Sequence, residues 1–304
     1  MAQADTRYDI IAPVEPQTLL PAVRQIGIAD LRDALRQGLD DFWAMPSHVV
    51  FLGLLYPAVG LLLGRAAFGY DIVPLLYPLA AGFALVGPFA AIGLYELSRR
   101  RELGLDTSWR HAFDIIHSPS LWPIAALGLL LVAIFGIWLG IADAIYVANF
   151  GFHEPTSLTA FARRVLTTPE GHNLMIYGNA IGFVFAALAA TLSVVSFPML
   201  LDRHVGFAAA VITSVRAVLA NPLVMAVWGL IVGAALLLGS LPLFFGLAVV
   251  VPVLGHATWH LYRKLVAPDT GPRPEIRPRP KAERHAADFP ASLFPVSRPP
   301  RNPE

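Results

Sequence analysis

Five stretches of this 304-residue chain run without a single Asp, Glu, Lys or Arg: Phe42–Gly64, Ile72–Tyr95, Ile115–Ala142, Gly171–Leu201 and Ala217–Tyr262. Each is longer than the ~20 residues that a helix rising ~1.5 Å per residue needs to cross a hydrocarbon core of ~30 Å. The last is roughly twice that length, and Gly239-Ser240-Leu241-Pro242 divides it into helices expected near Leu223–Leu238 and Phe244–Leu261. Six transmembrane helices follow. A soluble alternative would need polar, amphipathic helices to cover these runs. The chain is 56% hydrophobic and 14% charged, against ~25% charged in an ordinary soluble domain, so it has too little polar sequence to supply them.

Charge placement sets the orientation. Lys and Arg concentrate in the N-terminal segment, the Leu97–Ser120 loop, the Asp202–Asn221 loop and the tail, with Arg99-Arg100-Arg101 as the strongest anchor. The opposite side carries only Arg65, Arg163 and Arg164. The positive-inside rule therefore predicts a bacterial inner-membrane protein with both termini cytoplasmic. No continuous apolar core precedes the first span, because Asp5, Arg7, Asp9 and Glu15 interrupt it, and that span is expected to serve as its own insertion signal. A net charge of +1 creates no field that would recruit nucleic acid. Without cysteine there are no disulfides, thiolate metal sites or cysteine nucleophile.

The expected fold is all-α and polytopic, three repeats of an amphipathic surface helix followed by a helical hairpin. The stripes Ile28/Leu31/Leu35/Leu39/Phe42, Trp109/Ala112/Phe113/Ile116 and Phe207/Val211/Val215/Val218 each precede a proline, at Pro46, Pro119 and Pro222. Each stripe makes one helical face apolar and is expected to lie flat on the membrane, with proline ending the surface helix. Gly64, Gly136 and Gly239 follow at nearly constant spacing and are taken to lead into the turns. The returning spans carry Pro88, Pro198 and Pro252. Gly136/Gly140, Gly178/Gly182 and Gly229/Gly233 are small-xxx-small steps expected at helix interfaces. Trp43, Trp122 and Tyr262 are expected at the membrane boundary. Residues 1–27 form a cytoplasmic arm, 28–266 the membrane domain, and 267–304 a disordered tail rich in proline and arginine, with Phe289, Leu293 and Phe294 as possible anchors for a partner.

Candidate chemistry is sparse. On the repeat register Glu96, Asp202, His256 and His260 converge at the cytoplasmic mouth, where two carboxylates and two imidazoles suit either a divalent ion or a proton relay. The plainer expectation is ordinary pairing with Arg99, Arg203 and Arg263, and no metal or other cofactor is assigned. His256 and His260 have metal-ligand spacing but no glutamate in the zincin position. Asp143 and Asn179 are polar residues within spans and are expected to make an interhelical contact. The segment Ser157–Val165 reads as a short external amphipathic helix. Thr168-Pro169-Glu170 marks the start of the next helix.

The runs Leu166–Gly171, Ser193–Arg203, Ser214–Pro222 and Gly255–Arg263, together with Gly87-Pro88-Phe89 and Gly93–Glu96, resemble a bacterial family of predicted integral membrane proteins catalogued as domain of unknown function twenty-one eighty-nine. The resemblance extends over roughly residues 30–266. It implies a multi-span inner-membrane protein without an established activity and supplies no catalytic residues. The expected role is a non-catalytic accessory, assembly or scaffold protein in contact with the lipid bilayer and a membrane-protein complex. A small transporter or channel built from the three hairpins is the alternative.

Overall fold

Runs of Leu, Ile, Val and Ala too long for a strand and too apolar for water satisfy their backbone polar groups by coiling into helices. The computed structural model describes residues 20–45, 74–75, 78–79, 87, 91–108, 111, 118, 120–152, 157–203, 205–241 and 245–268. Within them lie α1 (Ile28–Ala44), α2 (Ile92–Glu102), α3 (Leu121–Phe150), α4 (Leu158–Thr167), α5 (Pro169–Ser193), α6 (Ser196–Asp202), α7 (Phe207–Ala220), α8 (Pro222–Ser240) and α9 (Leu247–Leu265). Most of the first two charge-free runs, the second surface stripe, Pro46, Pro88 and Pro119, and the tail beyond residue 268 fall outside the described residues.

Three helical stretches among the described residues are long and apolar enough to cross a membrane: Leu121–Phe150, Pro169–Asp202 and Pro222–Ser240. In α3, Pro123 sits in the first turn, where the missing N–H has no acceptor to lose. Gly151, at φ 69°, ends the helix in a left-handed conformation. Gly136 lies inside α3 rather than near its end, so the regularly spaced glycine leads into a turn after α8, at Gly239, but not here. α8 and α9 are separated near the expected turn, with the second helix beginning at Leu247.

The joint between α5 and α6 has a specific cause. Pro198 cannot donate to the Val194 carbonyl one turn back. The adjacent Thr191–Val195 rung is opened by Ser214 of α7, whose Oγ accepts from Val195 N–H (3.2 Å) and donates to the Thr191 carbonyl (2.7 Å). A hydroxyl inserted in the ladder is one of the recognised origins of a helix bend.

Of the stripes expected to lie flat on the membrane, that of α1 is covered in part by protein. Leu31, Ala34, Gly38, Asp41 and Phe42 of α1 are buried, and the helix runs antiparallel along α9, with Gly38 meeting Ala257 and Lys264 meeting Asp33 (2.6 Å). A Cβ on Gly38 would stand 2.5 Å from the Ala257 nitrogen, so only glycine permits this approach. On the opposite side of α9, Gly255 receives the Leu94 side chain of α2. In α7 the inward face is the small-residue line Ala210, Thr213, Ser214 and Ala217. The expected stripe of Phe207, Val211, Val215 and Val218 is only half-buried.

Residues 20–27 are stitched to the end of α9. Arg24 N–H bonds the Leu265 carbonyl (2.8 Å), and Ala267 N–H bonds the Ala22 carbonyl (2.9 Å). Asn221, between α7 and α8, accepts from Ile26 N–H (2.8 Å) and donates to the Arg24 carbonyl (3.0 Å). Its single side chain replaces the backbone partners that an extended segment would otherwise lack.

Candidate functional site

The two glycine contacts on α9 bring one end of α1, α2 and α9 together, and their polar residues meet there. Asp41 is at the centre, only 3% exposed. Its Oδ2 accepts from Ser98 Oγ at 2.5 Å and lies 2.9 Å from His260 Nε2 and 4.0 Å from His256 Nδ1. Arg101 binds the other oxygen, Oδ1. Burial pushes the Asp41 carboxyl up, but hydrogen bonds from His260 and Ser98, His260's charge interaction and the Arg101 bond outweigh it and hold the group below the usual carboxylate range.

A second network adjoins the first. Glu96 is buried and accepts both Nε and Nη2 of Arg99, at 2.7 and 2.9 Å. Asp202 accepts from the Tyr262 hydroxyl at 2.7 Å and faces Arg263 at 3.4 Å and Arg203 at 3.6 Å. Arg263 also donates to Glu102 at 2.7 Å, and Glu102 takes the Trp259 indole N–H at 3.1 Å. Arg263 therefore bridges Asp202 and Glu102. An open cleft of about 420 Å³ lies over the junction, lined in part by Asp40, Asp41, Arg101, Glu102, His260 and Arg263.

Of the four residues expected to converge, His256 and His260 do so, on Asp41, a residue the sequence reading did not single out. Glu96 and Asp202 are instead engaged by Arg99, and by Tyr262 with the arginines Arg203 and Arg263. Tyr262, expected at the lipid boundary, is buried at 1% exposure. Trp43 and Trp122 are exposed, at 77% and 80%. Asp143 is exposed, and the Asn179 amide donates to the Met175 carbonyl of its own helix at 2.7 Å. Of the small-residue steps, Gly182 faces Trp138, whereas a Cβ at Gly136, Gly140, Gly178, Gly229 or Gly233 would meet nothing within 4 Å among the described residues.

Ser98, His256 and Asp41 are the residue types of a nucleophilic triad, but not in its geometry. A triad places hydroxyl and carboxylate on opposite nitrogens of the imidazole. Here Ser98 Oγ meets His256 Nδ1 at 2.8 Å while bonding Asp41 directly. Among the described residues no group of three His, Asp or Glu side chains is arranged to hold a metal ion.

Apolar helices of membrane-spanning length, packed around a polar cluster confined to one end, define an all-helical integral membrane protein. Residues 76–202 match the family described as predicted integral membrane protein, DUF2189. The matched segment includes Glu96, Ser98, Arg101, Glu102, Asp143, Asn179 and Asp202. It leaves α1 and α9 outside, so it is shorter than the resemblance read from the residues. No curated protein and no solved structure matches the chain.

Proposed function

We propose that this chain is a six-span protein of the bacterial inner membrane, with both termini cytoplasmic, acting as a non-catalytic accessory, assembly or scaffold protein. The observation that carries this reading is the mutual engagement of the ionisable groups at the helix ends. Asp41 is held by Ser98, His260 and Arg101, Glu96 by Arg99, and Asp202 by Tyr262 and Arg263. These pairings clamp α1, α2, α6 and α9 to one another.

The repeat organisation draws support from its third unit, where α7, Pro222 at the first turn of α8, the turn after Gly239 and the returning helix α9 with Pro252 occur in the expected order.

The test is purification of the tagged, full-length protein in mild detergent with identification of all co-eluting proteins. A membrane-protein partner recovered in constant ratio, and lost when the tail beyond residue 268 is removed, is the expected result. A solitary monomer whose unfolding temperature rises with one small solute would overturn the scaffold reading in favour of transport.

A further inference from the structure

The segment between α3 and α5 has features that the scaffold reading does not use. α3 has 30 residues, about 45 Å of helix at ~1.5 Å per residue, well beyond a hydrocarbon core of ~30 Å. Trp138 faces Gly182 and lies 5.8 Å from the Phe185 ring, fixing the antiparallel register of α3 and α5. On that register Tyr146 and Phe150 stand beside the first turns of α5, where polar Pro169–Asn173 gives way to apolar sequence at Leu174. This change of polarity marks the membrane–water boundary, and α4 is fastened there.

Several contacts hold α4 in place. Its Phe161 ring packs on Tyr146 and Phe150, at 6.0 and 6.1 Å. Arg164 lies over the Phe150 ring at 4.7 Å. Thr168 ends α4 and caps α5, its hydroxyl donating to the Arg164 carbonyl (2.8 Å) and accepting from Gly171 N–H (3.1 Å). Leu166, Arg163 and Arg164 remain exposed on the helix, as does Phe152 just beyond α3, with Leu166 at 64% and Phe152 at 90%. Neither arginine is ion-paired among the described residues. Asp143 and Glu170, the acidic residues described in α3 and α5, are both exposed.

We infer that α4 sits in the outer-leaflet interface and binds the phosphate of an anionic phospholipid through Arg163 and Arg164, with Leu166 and Phe152 reaching the acyl region. Charge complementarity selects this occupant. A zwitterionic headgroup brings its own ammonium to its phosphate, whereas an anionic headgroup leaves a net charge for the two guanidiniums. Exposed apolar side chains beside basic ones on a short amphipathic helix are the pattern of interfacial lipid binding. The inference rests on the external placement of this segment in the six-span reading.

Because the chain lacks cysteine, Leu166→Cys provides a unique labelling site, with Phe152→Cys as a second. The labelled protein is reconstituted in phosphatidylcholine vesicles in which either the phosphatidylcholine or a minor fraction of phosphatidylglycerol is brominated. Quenching of a bimane label should favour phosphatidylglycerol about fivefold for each arginine engaged. Arg163→Gln with Arg164→Gln should reduce that preference to parity, and Arg163→Lys with Arg164→Lys should retain most of it. Equal quenching by the two lipids at both label sites, or a preference unaffected by the glutamine pair, overturns the inference. An impermeant maleimide added to spheroplasts tests the placement separately. Labelling of Leu166→Cys only after the membrane is opened would refute the six-span topology, while the quenching ratio would still report on the lipid site.

Discussion

At the residue scale the decisive group is Asp41, a carboxylate 3% exposed whose partners come from two other helices. Removing one member of such a cluster leaves donors without an acceptor, which costs more than the cluster's net contribution to stability. Asp41→Asn keeps the shape but loses the charge. It is expected to destabilise the detergent-solubilised protein by about 1.5–3 kcal/mol, the range for hydrogen bonds to a charged group, read as a lower thermal unfolding midpoint. The pH dependence follows from the same group. Its folded pKa lies below the unfolded value, so its stabilisation is complete above about pH 4 and is lost as pH falls through the folded value. The unfolding midpoint should therefore fall on acidification below about pH 4, and the fall should be smaller in Asp41→Asn. Asp41 was hard to find in the sequence because it directly precedes an apolar run and resembles the last charge of a solvated helix. Its partners are 57 and 219 residues away. His256 and His260 were legible because their spacing is local.

At the element scale, the contact surfaces are set by small residues where the sequence pattern favoured large ones. The apolar stripe of α1 implied a helix on lipid, yet the face that packs on α9 includes Gly38. Apolar periodicity identifies a helical face without saying whether lipid or protein covers it. Gly38→Val should separate α1 from α9, because the atoms it meets are backbone and cannot move aside like a flexible side chain. The expected cost is about 2–3 kcal/mol, with increased protease sensitivity in α1. The helix joint gives a second case. Pro198 was visible as a proline within an apolar run, but its neighbourhood depends on Ser214, contributed by α7. Ser214→Ala removes the inserted hydroxyl, and its cost is expected to be about 1–3 kcal/mol, the range for leaving buried polar groups unpaired. A larger distance between spin labels placed on either side of the joint would show that the direct Thr191–Val195 bond had re-formed and the helix had straightened.

At the scale of the whole molecule, the long apolar helices and the end-confined polar cluster impose different constraints. Lipid-length helices fix how far the chain must travel, whereas the clamp around Asp41 and Asp202 fixes which ends meet. Because α3 alone separates the Leu97–Ser120 loop from α4, opposite sides for these two segments require only one crossing. The six-span reading demands more: the loop containing Arg65 must share a side with α4. Single cysteines replacing Leu105, Thr159 and Ala67 distinguish these possibilities in a chain that has no cysteine of its own. An impermeant maleimide applied to intact spheroplasts should label the second and third directly, and Leu105→Cys only after the membrane is opened. If Ala67→Cys behaves like Leu105→Cys, the first two apolar runs do not form a crossing hairpin, and the chain has fewer spans than the charge-free runs imply. The basic segment Arg99-Arg100-Arg101 explains why the predicted pattern should hold. One of its arginines, Arg101, binds Asp41 of α1, so the segment that orients insertion also ties α2 to α1 in the folded protein.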